Sequence, residues 1–100
     1  MGLDIAIDEL YATGWTTLDS TRCKRHSDGR AYPTVERVRK ELESLGVTLT
    51  VRHVQLFDCY RAEWSDDQGA MKGSVVGRTE EEAAVYALAC ARRSCELATA

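Results

Sequence analysis

The chain has 100 residues, which is the length of one domain, and we predict that residues 1–100 fold as a single unit. An apolar fraction of 44% and a charged fraction of 29% are those of a globular protein and exclude a fibrous or disordered chain. The net charge of −3 disfavours a dedicated nucleic-acid binder, because such proteins usually carry a basic surplus.

The cysteines and the first residues of the chain indicate the cellular compartment in which the protein works. The chain carries four cysteines, at positions Cys23, Cys59, Cys90 and Cys95. Acidic residues at Asp4, Asp8 and Glu9 stand where a secretory signal has a basic start and a continuous apolar core. The longest apolar run, residues 83–91, is too short to cross a bilayer. We therefore expect a cytoplasmic protein with reduced thiols and no membrane contact.

Two amphipathic helices are predicted in the first half of the chain. Residues 3–13 repeat apolar side chains at helical spacing and end before Gly14. Residues 15–18 favour a short extended piece. A second helix begins near Pro33 or Thr34, since proline suits the first helical position and threonine the cap, and it ends at Gly46.

The segment between these helices, residues 19–32, is predicted to be a polar loop with a turn at Asp28-Gly29. It contains the one basic cluster, formed by Arg22, Lys24, Arg25 and Arg30. Such a cluster is a candidate site for a phosphate or another anion. The alternative, which we favour, is a solvated loop whose charges balance nearby acids, because short basic runs are unspecific.

A two- to three-stranded antiparallel sheet is predicted next. Residues 47–64 are rich in β-branched and aromatic side chains and contain neither glycine nor proline. Apolar residues occupy every second position, but they shift from odd to even positions near Arg52 and His53. This shift indicates either a bulge or a turn between two strands there. A turn over residues 65–69 and a last strand over residues 70–77 follow.

A long C-terminal helix is predicted from Thr79 onward. Thr79 and Glu82 have the spacing of a capping box, and Glu80, Glu81 and Glu82 complement the helix dipole. Residues 83–91 are apolar nearly all round, so the helix should be covered on more than one side. Two helices, a sheet and a helix packed on one face of it define an α+β fold.

From residue 33 onward, this order resembles the double-stranded-RNA-binding domain. The resemblance is carried by Phe57, by the alternating strand that ends at Trp64, and by Gly77-Arg78-Thr79 with Ala83 and Ala87. It implies an α-β-β-β-α layout over residues 33–93.

The same resemblance bears on RNA. That family binds phosphates through lysines where its last helix opens, and this chain has Glu80, Glu81 and Ala84 at the matching positions. The His-bearing loop of the family is also missing. We therefore expect no binding of duplex RNA on that face, since acidic side chains repel phosphates.

Two sets of residues could carry chemistry. Cys23 and His26 have metal-ligand spacing, but no paired cysteine motif accompanies them, so neither metal nor cofactor is predicted. His53, Asp58 and Cys59 are the ingredients of an activated thiol, and only a hairpin between His53 and Cys59 could bring them together. No catalytic motif is found, and we predict that the chain is not an enzyme.

The best functional lead is the set Arg52, Tyr60, Arg61 and Trp64, because aromatic and arginine side chains on an open sheet face are typical of binding hot spots. The alternative is that Tyr60 and Trp64 point into the core. We predict an interaction module that binds a protein partner or itself, as a homodimer, through the face or an edge of its sheet. The second hypothesis is a nucleic-acid binder that uses the basic residues 22–30.

Overall fold

A computed structural model describes residues 2–16 and 23–99, with side chains as far as Arg93. Its elements, in chain order, are α1 (Leu3–Ala12), β1 (Cys23–Arg25), β2 (Ala31–Pro33), α2 (Val35–Ser44), β3 (Val47–Val54), β4 (Cys59–Asp66), β5 (Met71–Gly77) and α3 (Glu80–Thr99). A short 3₁₀ turn, Gln55–Phe57, joins β3 to β4. The predicted α+β class is confirmed, with helices packed on one face of an antiparallel sheet.

Local signals place the first two helices where they were expected. α1 buries Ala6, Ile7 and Leu10 on one side. α2 begins after Thr34, whose hydroxyl accepts a hydrogen bond of 3.3 Å from the backbone N–H of Arg37. Each helix ends one or two residues before the predicted stop, where a turn closes the C-terminus.

The segment between these helices forms a hairpin, so the predicted loop is wrong over residues 23–25 and 31–32, while the predicted turn at Asp28-Gly29 is present. β1 and β2 pair in antiparallel register around a turn that contains Asp28 and Gly29. Gly29 has φ +92°, a conformation that favours glycine. The backbone N–H and the guanidinium of Arg30 both donate to the Asp28 carboxylate and fix this turn. The predicted extended piece at 15–18 lies partly outside the described residues.

Three strands form the main sheet, in the order β3-β4-β5 and all antiparallel. β3 runs unbroken through Arg52 and His53, so the break predicted there is wrong. The change of phase occurs in the turn after Val54, where Asp58 takes the left-handed conformation with φ 46°. In the resulting register Leu49 lies opposite Trp64 on the buried face.

The helices form a second layer on the sheet. α2 packs on β3 and on α3, α3 packs on β4 and β5, and α1 packs mainly on α3. Trp15, which follows α1, donates to the Glu41 carboxylate of α2 at 3.1 and 3.2 Å, so the end of α1 also approaches α2.

α3 is enclosed, as its apolar composition predicted. Residues 82–89 are all buried, and α3 packs on the sheet, on α1 and on α2. The hairpin is attached to α1, where the Tyr11 hydroxyl donates a hydrogen bond of 2.7 Å to the Ala31 carbonyl. The N-terminus of α3 has the predicted cap, since the Thr79 hydroxyl accepts from the Glu82 N–H at 3.1 Å. The Glu82 carboxylate, however, accepts from Arg78.

Candidate interaction site at the edge of the sheet

The residues of the predicted partner-binding set lie on two different faces. Trp64 is 4% exposed and belongs to the core. Tyr60 is half-buried on the same inner face, where its ring lies 4.9 Å from that of His53. Arg52 and Arg61 are paired across β3 and β4 and are exposed on the outer face. These four residues therefore do not form one surface, and Trp64 offers nothing to a partner.

Arg30 of the predicted anion-binding cluster is engaged by acidic side chains. It forms ion pairs with Asp28, at 2.8 Å, and with Asp8 of α1. The hydrogen bond from the Arg30 side chain holds the pKa of the Asp28 carboxyl below its ordinary value. The guanidinium therefore fastens the hairpin to α1, and an anion would have to displace two carboxylates to reach it.

The remaining basic residues are also accounted for within the described part of the chain. Lys24 lies 3.5 Å from the Glu81 carboxylate. Arg25 donates to the Gly29 carbonyl at 2.9 Å. Arg22 lies outside the described residues. The alternative of a charge-balanced hairpin is thus the better description of Lys24 and Arg30.

The hairpin between His53 and Cys59 does not assemble a thiol nucleophile. Cys59 pairs with Val54 and His53 with Tyr60, so successive side chains on these strands place the imidazole and the thiol on opposite faces of the sheet. His53 instead meets the Asp58 carboxylate at 3.2 Å. The arrangement lacks the contact between nucleophile and base that such chemistry needs.

Three other features concern the cysteines, the possible metal ligands and the composition of the helices. Cys23, Cys59 and Cys90 are not disulfide-bonded, and the side chain of Cys95 is outside the described set. Among the described side chains, no three His, Cys, Asp or Glu residues gather closely enough to hold a metal ion. Over residues 2–16 and 23–99, no helix combines the length and the apolar composition that crossing a bilayer requires.

An apolar groove of about 510 Å³ lies between β5 and α1, with α3 as its floor. Its apolar lining consists of Ile5, Val75, Val76, Tyr86, Ala89 and Cys90. An ion pair between Glu9 and Arg93 joins α1 to α3 along the same groove. We refer to this space as the edge groove.

The edge groove is apolar yet open. Ile5 and Val76 are 39% and 54% exposed, although each lies beside a buried core. Burial raises the pKa of the Cys90 thiol and that of the Tyr86 hydroxyl above their ordinary values, so both side chains stay neutral at physiological pH. A groove of this composition favours apolar side chains from a ligand or a partner.

β5 borders the edge groove with a free strand edge. Sheet edges usually carry prolines or charges that prevent further pairing. β5 contains no proline and a single charge, Lys72, which stands at the bulge opposite Trp64 and Ser65 and pairs with Asp66 at 3.4 Å. From Gly73 to Gly77 the edge is uncharged. The opposite edge, β3, also lies under a helix, α2, and carries one arginine, Arg52.

Two further exposed apolar residues, Leu56 and Phe57, lie at the turn between β3 and β4. Their side chains are 84% and 73% exposed. Sequence reasoning had placed this part of the chain inside a strand and so missed their exposure. It also missed the edge groove, for which the available signal was Ile5, an apolar residue off the buried stripe of α1.

Comparisons with protein-family models, with curated proteins and with solved structures find no match for this chain. The order α2-β3-β4-β5-α3 is the layout that the resemblance to the double-stranded-RNA-binding domain implies. The resemblance, which concerns the layout only, stays a prediction, because element order is shared by unrelated proteins.

Proposed function

We propose that this protein is an interaction module that binds an extended segment of a partner as a fourth strand, beside β5 and along the edge groove. The observation that carries the proposal is that the apolar edge groove lies beside an edge strand with no proline and a single charge. A fourth strand would extend the sheet and fill the edge groove.

Elementary dimensions support this placement. Ile5 and Glu9 of α1 line the edge groove together with Val75 and Val76 of β5. A strand paired with β5 would run about 4.8 Å outside it, along this groove. The backbone of β5 would supply hydrogen bonds to the new strand, and the groove would take alternate side chains.

The other hypotheses have less support. Nucleic-acid binding through residues 22–30 would require Lys24 and Arg30 to leave their carboxylate partners, and it remains the second hypothesis. For enzymatic activity, no arrangement of nucleophile, base or metal ligands among the described residues speaks in its favour. The proposal includes a cytoplasmic location, where cysteines that form no disulfide, such as Cys23, Cys59 and Cys90, are usual.

The test selects binders from random ten-residue peptides displayed on phage. Selected peptides should pair with the backbone of β5. Only every second N–H group of such a peptide points toward β5, so N-methylation of those residues should abolish binding, whereas N-methylation of the residues between them should leave binding unchanged. Ile5→Lys places a charge in the edge groove and should abolish binding. Leu56→Lys is the matched control, since it changes an exposed apolar residue in the turn between β3 and β4 that does not line the edge groove, and it should bind normally.

Both variants should keep the wild-type thermal midpoint, because both residues are at least 39% exposed. A library that yields no binder, or binders that are insensitive to both Ile5→Lys and N-methylation, would contradict strand capture at β5.

A further inference from the structure

We propose that the outer face of the sheet carries a second interaction site, at which Arg52 and Arg61 bind a carboxylate from an acidic segment of a partner protein. The site lies on the face of the sheet that points away from the helices. It goes beyond strand capture at β5 and does not depend on it.

The outer face is open to solvent across all three strands. Leu49, Ala62 and Trp64 are buried on the inner face, so the residues that alternate with them point the other way. Over the described strands β3, β4 and β5, none of those alternate residues is buried. An antiparallel sheet commonly has one such face free, and a partner can reach it without displacing any element.

Arg52 and Arg61 lie directly opposite each other on this face, in β3 and β4. The Cβ atoms of such a pair are about 4.5–5.5 Å apart, and like charges at these positions destabilise a sheet. Nε of Arg61 lies 3.1 Å from the carboxylate of Glu63, two residues along the same strand. Arg52 forms no hydrogen bond or ion pair with any described residue. The pair therefore keeps one positive charge without a counterion.

This surplus charge indicates the chemistry of the ligand. Local features of a sequence usually agree with its fold, and an unfavourable pair is most often found where function requires it. One further carboxylate would neutralise the surplus, whereas a phosphate dianion would exceed it and would be repelled by Glu63. A planar guanidinium group binds a carboxylate through two parallel hydrogen bonds, and Arg52 has its donors available for this.

The neighbours of the two arginines define the rest of the partner. Val76 lies opposite Arg61 on β5 and is 54% exposed. Val54 and Cys59 form the next pair on this face, and both are half-buried. The acidic residue of the partner should therefore have apolar neighbours. A nucleic acid does not fit, because its phosphates require a series of unpaired cations.

The probe is an acetylated and amidated pentapeptide with glutamate between two valines and glycine at each end. Its control has glutamine in place of glutamate. Each peptide is titrated into ¹⁵N-labelled protein, and the Nε–H signals of Arg52 and Arg61 and the backbone amide of Val76 are followed by NMR. The glutamate peptide should shift these signals saturably. The glutamine peptide should bind about tenfold more weakly, because it lacks the charge that strengthens the hydrogen bonds.

Two arginine variants test the site. Arg52→Gln should weaken binding of the glutamate peptide about tenfold. It should not lower the urea midpoint of the protein, because it removes one member of a like-charged pair. Arg39→Gln is the matched control, since Arg39 is exposed on α2 and loses the same charge, and it should bind as the wild type does.

Equal binding of the two peptides, the absence of a saturable shift, or equal loss of affinity in Arg52→Gln and Arg39→Gln would overturn the inference. Tighter binding of inorganic phosphate than of the glutamate peptide would overturn the assignment to a carboxylate. A lower urea midpoint for Arg52→Gln would show that the arginine stabilises the fold, and it would remove the argument from the like-charged pair.

Discussion

Adding one methyl group at Gly73 tests how Trp64 packs across β5. Alanine is normally better than glycine inside a strand, by about 0.5–1 kcal/mol. Here, a Cβ atom at Gly73 would collide with Cζ2 of the Trp64 indole and would lie 2.8 Å from Cε2 and 2.9 Å from Cη2. The indole is 4% exposed and has no open space into which it can move. Because overpacking costs about 1–3 kcal/mol, we expect Gly73→Ala to lower the free energy of unfolding by that amount.

Urea denaturation measures the effect, as a lower midpoint at unchanged slope. The same substitution is then made in a Trp64→Leu background. Leucine lacks the three indole atoms that collide with the added methyl group, so Gly73→Ala should there be neutral or stabilising. The two substitutions should therefore show a coupling free energy of at least about 1 kcal/mol. Trp64→Ala alone should cost about 3–5 kcal/mol, as truncation of a buried aromatic side chain does.

Ser74→Ala is the control, because Ser74 follows Gly73 in β5 and is exposed on the outer face. It should change stability by less than about 0.5 kcal/mol. The packing argument is refuted if Gly73→Ala is as stable as wild type, or if its cost is the same with tryptophan and with leucine at position 64.

Four further outcomes are expected. Thr79→Ala should lower stability by about 1 kcal/mol at unchanged denaturation slope, through loss of the helix cap, and an unchanged midpoint would contradict this. Thiol titration of protein purified without oxidant and then unfolded should count all four cysteines, whereas two or none would indicate an oxidising compartment. A gel shift at physiological salt should show no duplex RNA binding, since Glu80 and Glu81 repel phosphate, and salt-resistant retention would favour the nucleic-acid hypothesis. Because burial raises the pKa of Cys90, its alkylation rate should rise with pH about a midpoint above that of the unfolded chain, and a midpoint at or below that value would contradict the burial.

Helix positions were predictable because the responsible signals are local. Thr34 and Thr79 cap helices by bonds to backbone groups three residues away, which spacing alone identifies. The apolar body of α3 likewise indicated enclosure on several sides. The β1–β2 hairpin was not predictable in the same way, since Lys24 and Arg25 are exposed and β1 has no alternating apolar pattern. Pairing of such short strands depends on the helices beneath them.

The turn between β3 and β4 was detected but misplaced. The change of phase was visible, yet the turn contains Leu56 and Phe57 and no glycine or proline, so ordinary turn signals were missing. Asp58 supplies the left-handed conformation instead.

The edge groove was beyond sequence reasoning for a different reason. Its walls come from α1, β5 and α3, and they meet only because α1 packs beside α3. Hydrophobic periodicity predicts which residues of α1 are buried, but it does not reveal which element covers them or where the helix lies relative to the sheet.

The packing of α1 on α3 has a consequence for synthesis of the chain. Thr13 and Arg92 are hydrogen-bonded at 2.8 Å although 79 residues separate them. At a translation rate of about 5–20 residues per second, the ribosome needs about 4–16 s to make the chain between them. During that interval Ile7 and Leu10 have no α3 to cover them, so the nascent chain carries an uncovered apolar helix face. Chaperones that bind short apolar segments are therefore expected to occupy residues 3–12 until α3 has left the ribosome.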